Sequence, residues 1–242
     1  MTALRLAMWS GPRNISTAMM RAWENRGDCA VVDEPLYAHY LAHSGLEHPG
    51  HERIIAAGQT DWRKVVAALT GPVPGGRPIW YQKHMTHHLL PHIGRDWLRS
   101  LTHVFLIRDP HAVLLSYART RPQVSAADLG VLQQLEIYRA VEALQGSSPA
   151  VLDAEEFLKA PEAQLRALCA ALEITFTPRM LSWPPGPRAS DGVWAPYWYE
   201  VVLRSTGFEP YRPRAESVPP EHQETLERVM PAFEELHARR LR

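Results

Sequence analysis

Arg13, Ser16 and Thr17 stand where an apolar run gives way to a helical pattern. The run Leu4–Trp9 leads into Ser10-Gly11-Pro12-Arg13-Asn14-Ile15, and Ser16-Thr17 then open a helix. A strand, a tight loop and a helix in that order aim backbone N–H groups and the positive end of a helix dipole at one point. Such a point attracts an anion, and the planar guanidinium of Arg13 adds a fork of donors beside it. The expected chemistry is the holding of a phosphate or sulfate. The plain alternative is a strand-to-helix turn capped by Ser16 or Thr17.

A second group follows the apolar run Thr102–Ile107, which ends in Arg108-Asp109-Pro110, with Ser116-Tyr117 further along. An arginine at a strand end and a hydroxyl on the returning helix can grip a second phosphate. The alternative is a surface Arg–Asp pair and a helical serine. Two grips on neighbouring strands point to a nucleotide with phosphates at both ends. The first loop is not a Walker A motif, which needs Gly, four residues, then Gly-Lys-Ser/Thr. No convincing acidic strand end offers itself to Mg²⁺, Asp33 and Asp153 being the residues that would be argued.

The elements that must position these groups follow from periodicity. Strands are expected at Leu4–Trp9, Cys29–Val32, Ile79–Gln82, Thr102–Ile107 and Ala150–Asp153. Helices are expected at Ser16–Arg26, Thr60–Leu69, Pro110–Thr120, from the Ser125 cap to Gln145, and from Pro161 at position N1. A last helix carries Leu226, Val229, Met230, Phe233 and Leu236, with a kink expected at Pro231. Alternating strands and helices predict an α/β fold, three layers α/β/α, with a mostly parallel sheet of about five strands in one domain over residues 1–242. Ligands in such sheets bind beyond the carboxyl ends of the strands. The anion loop, Glu34, Lys83 and Arg108 all fall at such ends.

Composition narrows the partners. Lys plus Arg and Asp plus Glu balance at 26 each, so a nucleic acid is not the expected partner and any anion site is local. Cys29 and Cys169 lie in apolar patterns and read as buried thiols in a reducing compartment. No apolar run is long enough for a membrane span, and the N-terminus leads directly into a strand without a signal-peptide pattern. A cytoplasmic protein with a small-molecule partner is expected. Its oligomeric state is open.

The two anion motifs together resemble the sulfotransferases that use 3′-phosphoadenosine 5′-phosphosulfate (PAPS), in particular a bacterial and plant sulfotransferase-like branch. That family holds the 5′-phosphosulfate with a Pro-Lys/Arg-Ser-Gly-Ser/Thr-Thr loop, here Pro12-Arg13-Asn14-Ile15-Ser16-Thr17. Arg13 matches the basic position, Ser16 and Thr17 match the hydroxyls, and Asn14-Ile15 stand where Ser-Gly is usual. The family's 3′-phosphate element has an Arg at a strand end and a Ser eight residues later, matched by Arg108 and Ser116. The resemblance implies a P-loop-like fold, PAPS as donor and metal-independent in-line transfer to a hydroxyl or amine.

The same resemblance places Lys83 on the leaving phosphate. The family's Lys-Thr-His pattern has Met85 in the histidine's place, so His87 or His88 is considered as its substitute. The alternative reads both as partly exposed histidines at a helix start. Glu34 is a further candidate base, favoured because the end of the second strand adjoins the anion loop; otherwise it pairs with Arg13 or caps a turn. The family closes the 3′-phosphate site with a basic-Gly loop, roughly matched by Gly186 and Arg188. Trp194, Tyr197, Trp198 and Tyr199 then form either an acceptor lid or core. His84, His88 and His92 have helical i, i+4, i+8 spacing, but no Cys or acid cluster supports a metal there, and none is expected. The rival functions are a non-catalytic nucleotide-binding module and a P-loop nucleotide kinase.

Overall fold

A computed structural model describes residues 3–119, 123–213 and 216–241. Five strands, β1 (Leu4–Ser10), β2 (Cys29–Asp33), β3 (Ile79–Met85), β4 (Thr102–Ile107) and β5 (Ala150–Asp153), form one sheet in the order β2-β3-β1-β4-β5. Every pairing is parallel, with Met8 opposite Lys83 and Ser10 opposite both Met85 and Leu106. The loop expected to hold an anion follows the central strand, so groups at the ends of both neighbours can reach it. This is the mostly parallel α/β sheet expected.

Twelve helices are described: α1 (Ser16–Asn25), α2 (Tyr37–Ser44), α3 (His51–Ala57), α4 (Trp62–Thr70), α5 (Pro110–Ala118), α6 (Ala126–Leu129), α7 (Val131–Gln145), α8 (Ala154–Lys159), α9 (Pro161–Ala171), α10 (Ala195–Trp198), α11 (Glu200–Arg204) and α12 (Gln223–Ala238). Alternate residues of each strand face opposite layers. Leu6, Met8, Tyr81, Leu106 and Leu152 pack with Met19, Met20 and Trp23 of α1 and with Leu165 and Leu168 of α9. Ala7, Trp9, Trp80 and Phe105 pack on the other face with residues of α5, α7 and α12. Cys29 and Cys169 are buried free thiols. No helix among the described residues is long and apolar enough to cross a membrane.

Several expectations need correction. The helix from Ser125 to Gln145 is two helices, broken at Gly130, whose φ is 70°. A Cβ there would meet Thr86 Oγ1 at 2.8 Å, so the left-handed turn is set by close packing as much as by local preference. Ser125 does cap α6, with Asp128 completing a capping box. The helix expected at Thr60–Leu69 begins at Trp62 because the Asp61 side chain accepts from Arg63 N–H at 2.9 Å. β3 runs three residues past Gln82, to Met85. The end expected for the helix at Thr120 lies outside the described residues. The last helix runs through Pro231.

Candidate functional site

The loop between β1 and α1 is held from three sides. Asn14 Nδ2 donates to the Leu106 carbonyl at 2.9 Å, and Asn14 Oδ1 accepts from Ile15 N–H at 2.8 Å. Gln134 of α7 donates to the carbonyls of Trp9 and Leu106, both at 3.1 Å. Thr86 donates to the Gly130 carbonyl at 3.0 Å, and a Cβ on Gly11 would lie 2.7 Å from the Leu129 carbonyl oxygen. The loop therefore seats directly on the α6–α7 corner. Arg13 takes a left-handed φ of 56°, a conformation that costs a non-glycine residue of order 1 kcal/mol or more. No side chain caps α1, which leaves its N-terminal N–H groups facing the rim without one.

Arg13 and the second motif meet. Arg13 Nε donates to Ser116 Oγ at 2.9 Å, and its guanidinium carbon lies 5.5 Å from the centre of the Tyr117 ring. Arg108 donates to the Arg13 carbonyl. The guanidinium of Arg13 thus faces a hydroxyl and a ring, not a carboxylate.

Next to the loop, Lys83 lies in a closed cage. Its Nζ donates to Asp33 Oδ1 at 3.0 Å, Glu34 Oε1 at 2.7 Å and Tyr199 OH at 2.6 Å. Tyr199 OH donates to Asp33 Oδ2 at 2.6 Å and accepts from Trp194 Nε1 at 3.1 Å, and Gly192 N–H donates to the same carboxylate at 3.1 Å. The side chains of Lys83 and Asp33 are 1% and 2% exposed, so water screens this pair little. Burial works against the ammonium, but Asp33 and Glu34 outweigh it and hold the Lys83 pKa well above the ordinary value. Burial pushes the Glu34 pKa up, with Asp33 adding to the push and Lys83 opposing it.

The 3₁₀ turn Thr86–His88 carries two histidines. His88 is sandwiched by Tyr37 and Tyr40 of α2, at ring separations of 4.5 and 4.7 Å, with Nδ1 3.9 Å from Glu34 Oε2. Burial, then the neighbouring His87, hold its pKa well below the ordinary value. His87 is lowered to about 4, by burial first and His48 second, so it is neutral at physiological pH. Its Nδ1 is buried without a hydrogen-bond partner. His87, Tyr40, Leu90, Tyr117 and Gln133 line a cavity of about 270 Å³ beside the Arg13–Ser116 contact.

A family model described as a sulfotransferase domain matches residues 4–240. The chain belongs to the sulfotransferase family. Two solved sulfotransferases share its fold: a sulfotransferase domain from the curacin biosynthetic pathway and a sulfotransferase from Alicyclobacillus acidocaldarius. The first superposes with TM-score 0.51 at 15% identity, covering 95% of this chain and 98% of that one. The second has TM-score 0.53 at 12% identity, covering 98% and 96%. Two curated relatives are branched-chain-amino-acid aminotransferase-like proteins 2 and 1 of Arabidopsis thaliana, 36% and 37% identical over 93% of this chain. The chain spans 40% of the length of each.

In this member of the family several sequence expectations are rearranged. Arg13, Arg108 and Ser116 form one connected group where two separate grips were expected. Asn14 spends its amide on anchoring the loop to β4. Ser16 is buried at the start of α1, and Thr17, beside it, is half-buried. Glu34 pairs with Lys83 and not with Arg13, and Lys83 is not a free cation, because each of its three protons has an acceptor. His87 and His88 lie in a 3₁₀ turn, His88 buried and His87 half-buried, so the reading as partly exposed fits His87 and fails for His88. Arg188 is drawn to the later turns of α1, its Nη1 3.7 Å from Glu24, and is not brought to Arg108 and Ser116. His84, His88 and His92 do not share a helix face, because His84 lies in β3 and stacks on Trp9 at 4.4 Å.

Trp194 and Tyr199, expected as an acceptor lid or core, instead close the Lys83–Asp33 cage; Gly192 was missed, and Asp33 was weighed only as a magnesium ligand. The aromatic cluster that includes Tyr199 was the available signal. It divides: Trp194 and Tyr199 are buried, while Tyr197 and Trp198 are more than 40% exposed.

Proposed function

We propose that this sulfotransferase moves a sulfuryl group from PAPS to a hydroxyl or amine of a small acceptor. The observation that carries the reading is the meeting of Arg13 and Ser116, 103 residues apart, at the N-terminal end of α1. An arginine, a hydroxyl and helix N–H groups at one rim suit a donor with an anion at each end. PAPS would supply the activated sulfuryl group. Arg13 and the N-terminus of α1 would neutralise the charge developing on the leaving phosphate, and Arg108 with Ser116 would hold the 3′-phosphate. A sulfuryl group carries less charge than a phosphoryl group, so this transfer needs no Mg²⁺ clamp.

Lys83 acts here as a positioning residue, fixing Glu34 and the end of β3 through its ion pairs. The acceptor fits the cavity between His87 and Tyr117. A base must lie within hydrogen-bond reach of the acceptor hydroxyl. His87 borders that cavity with a neutral ring, whereas Glu34 has one oxygen committed to Lys83. The geometry therefore favours His87 over Glu34. A cytosolic location accords with the two buried free thiols.

Adenosine 3′,5′-bisphosphate is expected to raise the melting temperature without Mg²⁺, by about 2.7 kcal/mol of added stability at a hundredfold excess over Kd. AMP is expected to do much less. Equal stabilisation by AMP, or a strict Mg²⁺ requirement, sinks the donor assignment. A screen of hydroxyl and amine acceptors with labelled PAPS identifies the second substrate and separates an enzyme from a mere binder.

With an acceptor in hand, His87→Ala is expected to lower kcat by about a hundredfold, the lower end of what general-base catalysis contributes. Donor binding should be unchanged, and Glu34→Gln should keep most of the turnover. The reverse pattern would move the base to Glu34.

A further inference from the structure

The transfer site uses none of the histidines on the far side of α2. His39, His43 and His92 converge there, with one ring nitrogen from each lying within 4.8 Å of the other two. Among the described residues this is the only group of its kind. His39 and His43 are one turn apart on α2, and His92 comes from the loop after the Thr86–His88 turn. They line an open cavity of about 540 Å³ together with Thr60, Asp61 and Trp62.

Hydrogen bonds decide which nitrogens are available. His39 Nδ1 lies 2.6 Å from the Thr60 carbonyl oxygen, and His43 Nδ1 lies 2.9 Å from the His39 carbonyl oxygen. A carbonyl only accepts, so both Nδ1 atoms carry the proton and both Nε2 atoms are bare lone pairs. His39 Nε2 then faces His92 Nε2 at 2.9 Å. A ring N–H held by a backbone carbonyl, with a lone pair on the other nitrogen, is the arrangement that orients metal-ligating histidines. Tetrahedral Zn²⁺ with Zn–N bonds of about 2.0–2.1 Å needs ligand nitrogens about 3.3 Å apart. Small side-chain rotations reach that spacing from the distances observed. His39 is 1% exposed while His43 and His92 are exposed, so an ion would have one firmly fixed ligand and a solvent-facing fourth position.

We propose that His39, His43 and His92 form a site for a divalent transition metal, held by three neutral imidazoles with the fourth position open to the cavity. Zn²⁺ is the natural occupant, since imidazole suits it and no thiolate is present. The site ties α2 to the loop after His88. On α2, Tyr37 and Tyr40, which sandwich His88, project about a third of a turn away from His39 and His43. The metal would thus brace the wall that carries the His87–His88 turn. This inference does not depend on the donor or acceptor of the sulfotransferase.

The test is a competition titration of chelator-treated protein with Zn²⁺ against a chromophoric chelator, with melting curves alongside. Wild type is expected to bind one equivalent and to gain melting temperature. His43→Gln and His92→Gln change exposed side chains, so they should fold normally without metal. Losing a partner in the shell behind the ligands costs 10–100-fold in affinity, so losing a ligand should weaken binding by more than about tenfold. Both variants should also lose the Zn²⁺-induced rise in melting temperature, and His111→Gln should behave as wild type. Wild-type affinity in both ligand variants, equal loss in His111→Gln, or no stoichiometric binding by wild type would overturn the proposal.

Discussion

Lowering the pH from 7 to 5 is expected to remove about 4 kcal/mol of folding stability through two buried histidines alone. His84 is 1% exposed and His103 is 3% exposed. Burial holds the first at about 3, with His103 adding to the effect, and holds the second at about 4. In the unfolded chain each titrates near its ordinary value, about 6.5. Between those limits the unfolded chain binds the proton and the folded chain does not. The stability they contribute is therefore present above about pH 6.5 and falls as the pH drops toward the folded values, at up to about 1.4 kcal/mol per pH unit for each. Geometry agrees for His103: its Nδ1 accepts from Trp9 Nε1 at 3.0 Å while Nε2 donates to the Leu98 carbonyl at 2.8 Å. Protonation would set one N–H against another. Glu34 and Asp153, whose pKa values burial raises, act in the opposite sense and blunt the loss. Urea midpoints measured from pH 7.5 to 5 give the slope. His84→Phe keeps a ring on Trp9 and should flatten that slope by about one proton's worth. A flat profile in the wild type would show that these histidines are not buried neutral.

Lys83→Met is expected to cost about 3–5 kcal/mol, the usual penalty for removing one partner from a buried ion pair. Methionine nearly matches the lysine stem in volume, so the loss reports charge and hydrogen bonding, not a cavity. It would leave Asp33 2% exposed with no cation beside it, and Glu34 11% exposed in the same state. Adding Asp33→Asn to Lys83→Met should restore part of the loss, because it removes the stranded charge. Equilibrium urea unfolding of the two variants makes the comparison. A cost below about 1 kcal/mol for Lys83→Met would mean that the pair behaves as a surface salt bridge.

The parts of this molecule that were legible in its sequence are those set by local physics. β1, β4 and β5 are apolar runs, α5 begins on Asp109-Pro110, and α6 begins on a capping box. The strand-to-helix loop after β1 was legible for the same reason, being continuous in the chain. β3 was read short because Lys83 and His84 look like an exit to solvent. Both are buried, one against carboxylates and the other against Trp9. The break at Gly130 was missed because its cause is the approach of Thr86 and Gly11, distant in sequence. The role of Tyr199 was missed because nothing near residue 199 announces a partner 116 residues earlier. The His39–His43 pair went unread because α2 was not among the expected helices, and its third member belongs to another element.

That 116-residue separation also bears on how the chain is made. At roughly 5–20 residues per second, Lys83 leaves the ribosome about 6–23 s before Tyr199. The strand carrying the lysine therefore exists for many seconds without the phenol that closes its cage. Closing so long a loop is entropically demanding, and contacts of this kind form late. The rim around the loop after β1 can be assembled before residue 199 is made, but the lysine beside it is locked only once Tyr199 has joined the chain. A pause in synthesis between residues 83 and 199 would hold the nascent chain with Asp33, Glu34 and Lys83 still hydrated, and that is the interval in which a chaperone would have something to protect.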